Sequence, residues 1–142
     1  MSDYSLSSRN DVKPLPGALC RRFDCGGTVL AGQAVYVAAD GDVEAADAVT
    51  FAHATSIGIA VADNDGGTSF ASGDRVDVCM HGPLAGFSSM KEGTFAYQSA
   101  TVGAVADASP GSGNYVWVIG MPISETILFI NPWTYDITQQ SS

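Results

Sequence analysis

Residues 82–130 of this chain read GPLAGFSSMKEGTFAYQSATVGAVADASPGSGNYVWVIGMPISETILFI. Short apolar segments alternate here with glycine- and serine-rich turns, which is typical of short strands joined by tight loops. Residues 93–98 place Phe95 and Tyr97 on one face, as expected of a strand with one buried face. Residues 115–119 and 126–130 are nearly all apolar, so we expect these strands to be covered on both faces.

The preceding part of the chain predicts a hairpin and a further strand. Residues 34–39 and 43–46 flank Asp40-Gly41, a strong hairpin signal because both residues tolerate positive φ. Residues 56–62 alternate apolar and small side chains and indicate a strand.

Residues 75–80, RVDVCM, have a clear period of two. Two valines and Met80 share one face, whereas Cys79 and the charged side chains share the other, so we expect a half-buried strand. His81 is expected at a turn into Gly82-Pro83.

About eight strands, with turns roughly every 8–12 residues, predict an all-β fold, a small β-barrel or sandwich-like domain. Residues 47–55 are alanine-rich and are the only candidate for a helix, of one or two turns. The core domain is expected to span residues 18–131.

Residues 1–17 are polar and contain Pro14 and Pro16, which disfavour a helix and predict an extended N-terminal arm. A disordered tail is the alternative. Asn131-Pro132 ends the last strand, so residues 132–142 form a C-terminal tail.

The composition excludes some classes of partner. The net charge of −9 would repel phosphate backbones, so no nucleic acid is expected as a partner. No apolar run has the length of a membrane span, so no membrane partner is expected. The odd cysteine count, and an N-terminus without an apolar segment, predict reduced thiols in a cytoplasm.

Candidate chemical motifs match their templates poorly. Residues 63–67, DNDGG, resemble a calcium loop, but the twelfth position is Asp74 where that loop needs Glu. His53 and His81 have no recognisable nucleophile motif nearby, and Cys20-x4-Cys25 has too few partners for zinc. We therefore predict no catalytic, cofactor-binding or metal-binding residues, and no enzyme.

Three segments together resemble a known family. They are GGTVLAGQAVYVAADGDVEAADA from residue 26, TSIGIAVADNDGGTSFASGDRVDVCMHGPLAGF from residue 55, and GTFAYQSATVGAVADASPGSGNYVWVIGMPISETILFINP from residue 93. In their glycine and apolar spacing they are similar to the head decoration (capsid cement) proteins of tailed phages, over roughly residues 17–132.

The resemblance implies a structural virion protein on the outer surface of the capsid. Such a protein is made in the host cytoplasm and bridges subunits of the major capsid protein. It also implies a homo-oligomer, with a homotrimer favoured over a homodimer.

Two sets of residues are candidate capsid or oligomer contacts. One lies in the N-terminal arm and comprises Tyr4, Leu6, Arg9 and Lys13. Deletion of residues 1–14 is expected to weaken capsid binding and leave the fold intact. An ordinary solvated segment is the alternative reading of the basic residues here.

The other set is Trp133 and Tyr135 in the tail, because aromatic side chains often anchor interfaces. Packing on their own barrel is the alternative. A receptor- or glycan-binding module of a phage tail or fibre is the competing function, since relatives of the last third of the chain occur there. A glycan site would need exposed aromatics, and Tyr115 and Trp117 lie in a very apolar run.

Overall fold

The computed structural model describes residues 3–132 and 138–139, which are almost entirely β, as the sequence predicts. One helical turn, α1 (Phe51–Ala54), lies inside the segment expected to be helical. The strands of this part of the chain are β1 (Ser5–Leu6), β2 (Lys13–Pro14), β3 (Leu19–Asp24), β4 (Val29–Leu30), β5 (Ala34–Val37), β6 (Val43–Ala45), β7 (Gly58–Ala60), β8 (Ser69–Phe70), β9 (Arg75–Ala85), β10 (Phe87–Ser88), β11 (Ala96–Gln98), β12 (Val105–Ala106), β13 (Tyr115–Val116), β14 (Val118–Pro122), β15 (Ile127–Ile130) and β16 (Thr138–Gln139).

Eight strands form one antiparallel sheet in the order β12-β11-β14-β15-β9-β7-β5-β6, and this sheet curls into a half-barrel. β9 is the longest strand. Its first half pairs with β3 and β7, and its second half pairs with β2 and β15. β9 therefore connects the N-terminal segment to both halves of the sheet.

The alternation predicted for residues 75–80 is present, with Arg75 exposed and Asp77 half-buried on the second face, but Cys79 on that face is not left to solvent. Val76 and Val78 belong to a smaller core cluster, which also contains Val29 and Phe70. Cys79 points to the opposite side, is 0% exposed, and belongs to the larger core cluster. The half-buried strand is thus confirmed over residues 75–78, and the expectation fails at Cys79, which is buried in the larger cluster.

The turn expected after His81 is also absent, because β9 continues to Ala85. Gly82 has φ +105°, which glycine adopts at little cost, and a Cβ there would collide with the Ala18 backbone. On the other side β15 pairs with this part of β9, with Ile130 opposite Gly82. The Gly-Pro signal thus marks a close backbone approach inside a strand.

The strand predicted at residues 93–98 is present with its faces reversed. Ala96 and Gln98 are fully buried, whereas Phe95 and Tyr97 contact each other edge to face on the outer side, with ring centroids 6.4 Å apart. The Gln98 side chain is held by its amide, which donates to the Ala46, Ser99 and Ala104 carbonyls. Hydrogen bonding thus offsets the cost of burying the amide nitrogen, whereas the Gln98 Oε1 is buried without a partner among the described residues.

The hairpin signal at Asp40-Gly41 is confirmed. β5 and β6 pair antiparallel with Val37 opposite Val43, and Gly41 has φ +89°. The Asp40 carboxylate accepts a hydrogen bond from the Asp42 N–H at 3.0 Å, which closes the turn. The hydrogen bonds that close this turn lie within residues 38–42, as its composition indicates.

Gly58 tests the close pairing of β7 with β9. A Cβ at Gly58 would collide with the Cys79 carbonyl oxygen, so we expect Gly58→Ala to lower the free energy of unfolding by about 3 kcal/mol or more. At Gly27 the nearest atom to an added Cβ is 3.8 Å away, and Gly27→Ala should change stability by less than about 0.5 kcal/mol. Urea denaturation of both variants measures the difference, and equal stabilities would contradict the register of β7 on β9.

Candidate interaction surface

The N-terminal segment, residues 3–18, is extended apart from one 3-10 helical turn at Arg9–Asp11, and it lies along the protein's own sheet. The Tyr4 N–H donates to the Val105 carbonyl at 2.7 Å, and the Leu15 N–H donates to the Pro83 carbonyl at 3.0 Å. The short strands β1 and β2 pair with β10 and β9. Both ends of the segment are thus fixed to the β body by backbone hydrogen bonds.

The four candidate contact residues of this segment lie in different environments. Tyr4 and Leu6 are half-buried and pack against the larger core cluster. One Arg9 guanidinium nitrogen donates to the Ala31 carbonyl at 2.6 Å, whereas Lys13 is exposed. The structure thus makes Lys13 the most accessible of the four, and their role in binding a capsid stays a prediction. Trp133 and Tyr135 lie outside the described residues.

Val12 anchors this segment in the core. Its side chain is 0% exposed in the larger core cluster, and its carbonyl accepts the Ala62 N–H at 3.0 Å. Gly86 approaches the Val12 backbone so closely that an added Cβ would collide with it. Deletion of residues 1–14 therefore removes a core side chain as well as surface residues, which revises the expectation that the fold would be untouched.

Val12 and Lys13 form a matched pair for testing this anchor. Val12→Ala removes buried methyl groups and should lower the free energy of unfolding by about 2 kcal/mol. Lys13→Ala changes only an exposed side chain and should stay within about 0.5 kcal/mol of the wild type. Chemical denaturation measures both values. A Val12→Ala variant as stable as the wild type would mean that the segment is not part of the core.

Two of the pockets on the described surface lie beside the sheet. A polar groove of about 470 Å³ lies between the N-terminal segment and the 101–105 loop, with Arg9 and Gln33 in its wall. An apolar pocket of about 440 Å³ lies beside Ile57 and Met80. Trp117 lines this second pocket, is 5% exposed, and donates its indole N–H to the Ser56 carbonyl at 2.9 Å. Its ring is therefore packed, and it does not offer the exposed stacking face that a sugar platform needs.

The histidines are held by aromatic neighbours. His53 stacks on Tyr36 with ring centroids 4.6 Å apart, and its Nδ1 lies 3.4 Å from an Asp47 carboxylate oxygen. The ring of His81 meets that of Phe129 edge to face at 5.2 Å. These contacts orient both rings within the sheet surface.

The acidic loop at residues 63–67 forms a turn. An Asp65 carboxylate oxygen accepts the Gly67 N–H at 3.1 Å, and the Asp63 N–H donates to the Gly67 carbonyl at 2.8 Å. Asp side chains followed by glycine commonly cap their own backbone in this way. Within residues 3–132 and 138–139, no three His, Cys, Asp or Glu side chains are grouped so that they could hold a metal ion.

The three thiols are free, and burial raises the pKa of each. The effect is largest at Cys79, whose pKa rises to about 12. Burial also raises the pKa of Cys20, which lies directly opposite Cys79 in the sheet, and that of Cys25. An activated nucleophile needs a lowered thiol pKa, so at neutral pH all three groups are protonated and weakly reactive.

The exposed surface carries large apolar side chains on separate elements. Leu19 on β3 is the most exposed, at 66%. The others are Val37, Val49, Phe51, Phe95, Val102 and Ile123. Phe51 on α1 lies edge to face with Tyr115, with ring centroids 5.8 Å apart. They are distributed over strands, turns and the helix, so the protein has several separate apolar points of contact.

Comparison with protein-family models and with curated protein sequences finds no match. Among the described residues, no helix is both long enough and apolar enough to cross a membrane. Function is accordingly inferred from the family resemblance in the sequence and from the surface of this chain.

Proposed function

We propose that this protein is a capsid decoration (cement) protein of a tailed phage. It binds the outer surface of the head and stabilises the mature shell by bridging subunits of the major capsid protein. The resemblance over roughly residues 17–132 suggests this role, and the all-β fold is compatible with it. The structural observation that supports it best is a well-packed β body with exposed apolar side chains on separate elements.

The packed body suits a protein that acts as a rigid bridge. Two core clusters lie on either side of β9, and the N-terminal segment is bonded back onto the sheet at both ends. A preorganised surface loses little conformational entropy on binding, so more of the contact energy contributes to affinity. The separate apolar points allow one molecule to contact more than one neighbour.

The charge also supports a position on the outside of the head. A net charge of −9 repels packaged DNA and favours contact with protein surfaces that carry basic groups. Only 15% of the residues are charged, so much of the surface can be desolvated without burying an ion.

Stabilisation follows from binding to one state of the shell. Only the mature arrangement places all contact points within reach of a single oligomer, so binding favours that arrangement by mass action. At about a hundred times the dissociation constant this contributes roughly 2.7 kcal/mol per site. Attachment at several points multiplies weak single contacts by about 10² to 10⁴ in affinity.

The copy number in purified particles of the encoding phage tests this proposal. Quantitative mass spectrometry should find this chain at a level comparable to that of the major capsid protein. A cryo-EM map should place it on the outer surface, at junctions between capsid subunits. Heads assembled without it should rupture at a lower temperature, and adding the purified protein should restore the wild-type value.

A different distribution in the particle would contradict the proposal. A few copies per particle, with density confined to the tail, would favour the receptor- or glycan-binding alternative. Absence from purified particles would exclude both structural roles.

A further inference from the structure

β3 is an edge strand with an unused outer side. Five of its six residues are exposed, and among the described residues it pairs along its length only with β9. At its C-terminal end, β6 approaches the outer side through the bridge between Cys25 and Val43. Leu19 is the most exposed large apolar side chain of the described surface. An edge of this length is a template for pairing with another strand.

The register identifies which backbone groups face outward. Asp77 lies opposite Arg22, and its backbone carbonyl accepts the Val61 N–H on the side of β9 away from β3. The backbone N–H and C=O groups of Asp77 therefore point away from β3. In an antiparallel pair the directions alternate, so the N–H and C=O groups of Cys20, Arg22 and Asp24 point outward. The Cys25 N–H, which donates to the Asp74 carbonyl, fits the same alternation. The Asp24 carbonyl is already used, because the parallel bridge between Cys25 and Val43, in which the Gly26 N–H donates to the Val43 carbonyl, directs the Val43 N–H at it. No described residue bonds to the outward groups of Cys20 and Arg22 or to the Asp24 N–H.

The same edge is basic within an acidic protein. Arg21 and Arg22 provide two of the six basic residues of the chain. Arg22 is paired with Asp77 at 3.0 Å, whereas Arg21 lies over the Phe23 ring at 5.7 Å and has no carboxylate partner among the described residues. An incoming strand with an acidic side chain would pair with Arg21.

A second copy of this chain fits the edge poorly. Outward-facing residues must lie opposite one another in a two-fold antiparallel pair. The two longest such registers place either Arg22 opposite Arg22 or Arg21 opposite Arg21. Like charges directly opposite one another destabilise a sheet.

We propose that the outer edge of β3, Leu19–Asp24, binds an extended acidic segment of a partner protein by strand addition. Backbone hydrogen bonds at Cys20, at Arg22 and at the N–H of Asp24 would provide the binding, and Arg21 would select for acidic side chains. This inference rests on the proposed function, in which the partner is the major capsid protein on the surface of the head.

The backbone part is tested with two variants at Asp24. Asp24→Pro removes an outward N–H, which β9 does not use, and proline is tolerated at such edge positions. Asp24→Ala removes the same carboxylate but keeps the N–H. Binding to heads purified without this chain is measured by co-sedimentation. We expect Asp24→Pro to bind about tenfold more weakly than Asp24→Ala, consistent with one lost backbone hydrogen bond.

The charge part is tested with Arg21→Glu, and this variant also covers the case in which Asp24→Pro fails to fold. Lys91→Glu is the control, because it makes the same change in net charge at another exposed position. We expect Arg21→Glu to weaken binding about tenfold and Lys91→Glu to leave it within about twofold, since a charge acts mainly on its near neighbours. Circular dichroism checks that each variant is folded.

The outcomes separate this proposal from the proposed function. If the wild type binds heads and Asp24→Pro and Arg21→Glu bind equally well, the edge is not the docking site, and the arginines only prevent self-pairing. If Asp24→Pro instead dissociates an oligomer of the free protein, the edge pairs with a second copy, and the proposal is wrong. If the wild type does not bind heads, both this proposal and the proposed function are overturned.

Discussion

The pairing of β9 with four other strands is the constraint on which this structure depends. β9 binds β3 and β7 along its first half and β2 and β15 along its second half. Its side chains enter both core clusters, with Val78 in the smaller and Cys79 in the larger. Three glycines make this crowding possible, because Gly58, Gly82 and Gly86 lie where a Cβ would collide with a neighbouring backbone.

The arrangement of β9 also determines which surfaces are free for partners. The N-terminal segment is held against the second half of β9 and Val12 is buried there, so this segment belongs to the body of the protein. β3 is held against the first half, and among residues 3–132 and 138–139 its outer side is approached only at its C-terminal end, where Cys25 bridges Val43 of β6. The two basic segments of the sequence therefore differ, since one is fixed by its own core and the other presents an open strand edge.

Local signals in the sequence were sufficient for much of the fold. The β5–β6 hairpin depends on a two-residue turn signal, and α1 on an alanine-rich segment, so both could be predicted without knowledge of the tertiary contacts. The all-β class follows from the spacing of apolar runs and turns. These features depend on interactions between residues close in sequence, so the residues that determine each feature are also the ones that form it.

The sequence-based expectations that the structure corrects depend on contacts between residues distant in sequence. His81-Gly82-Pro83 resembles a turn, and only the approach of Ala18 and β15 shows why the strand continues. The buried face of β11 was assigned to Phe95 and Tyr97 because they are the larger apolar side chains. In the structure the other face is buried, and the amide nitrogen of Gln98 lies within hydrogen-bond distance of three carbonyls there. The edge at β3 could not be predicted, because an edge is defined by a missing neighbour rather than by composition. The contact residues Trp133 and Tyr135 remain predictions.

Amide hydrogen exchange of the free protein, measured by NMR, tests most directly whether β9 is the central strand and β3 an open edge. Amides in the middle of β9 should be among the slowest to exchange, because their opening requires global unfolding. Within β3, the Arg21 and Phe23 amides should be protected by β9, whereas those of Cys20, Arg22 and Asp24 should exchange rapidly. Uniform protection along β3, or rapid exchange throughout β9, would contradict this account.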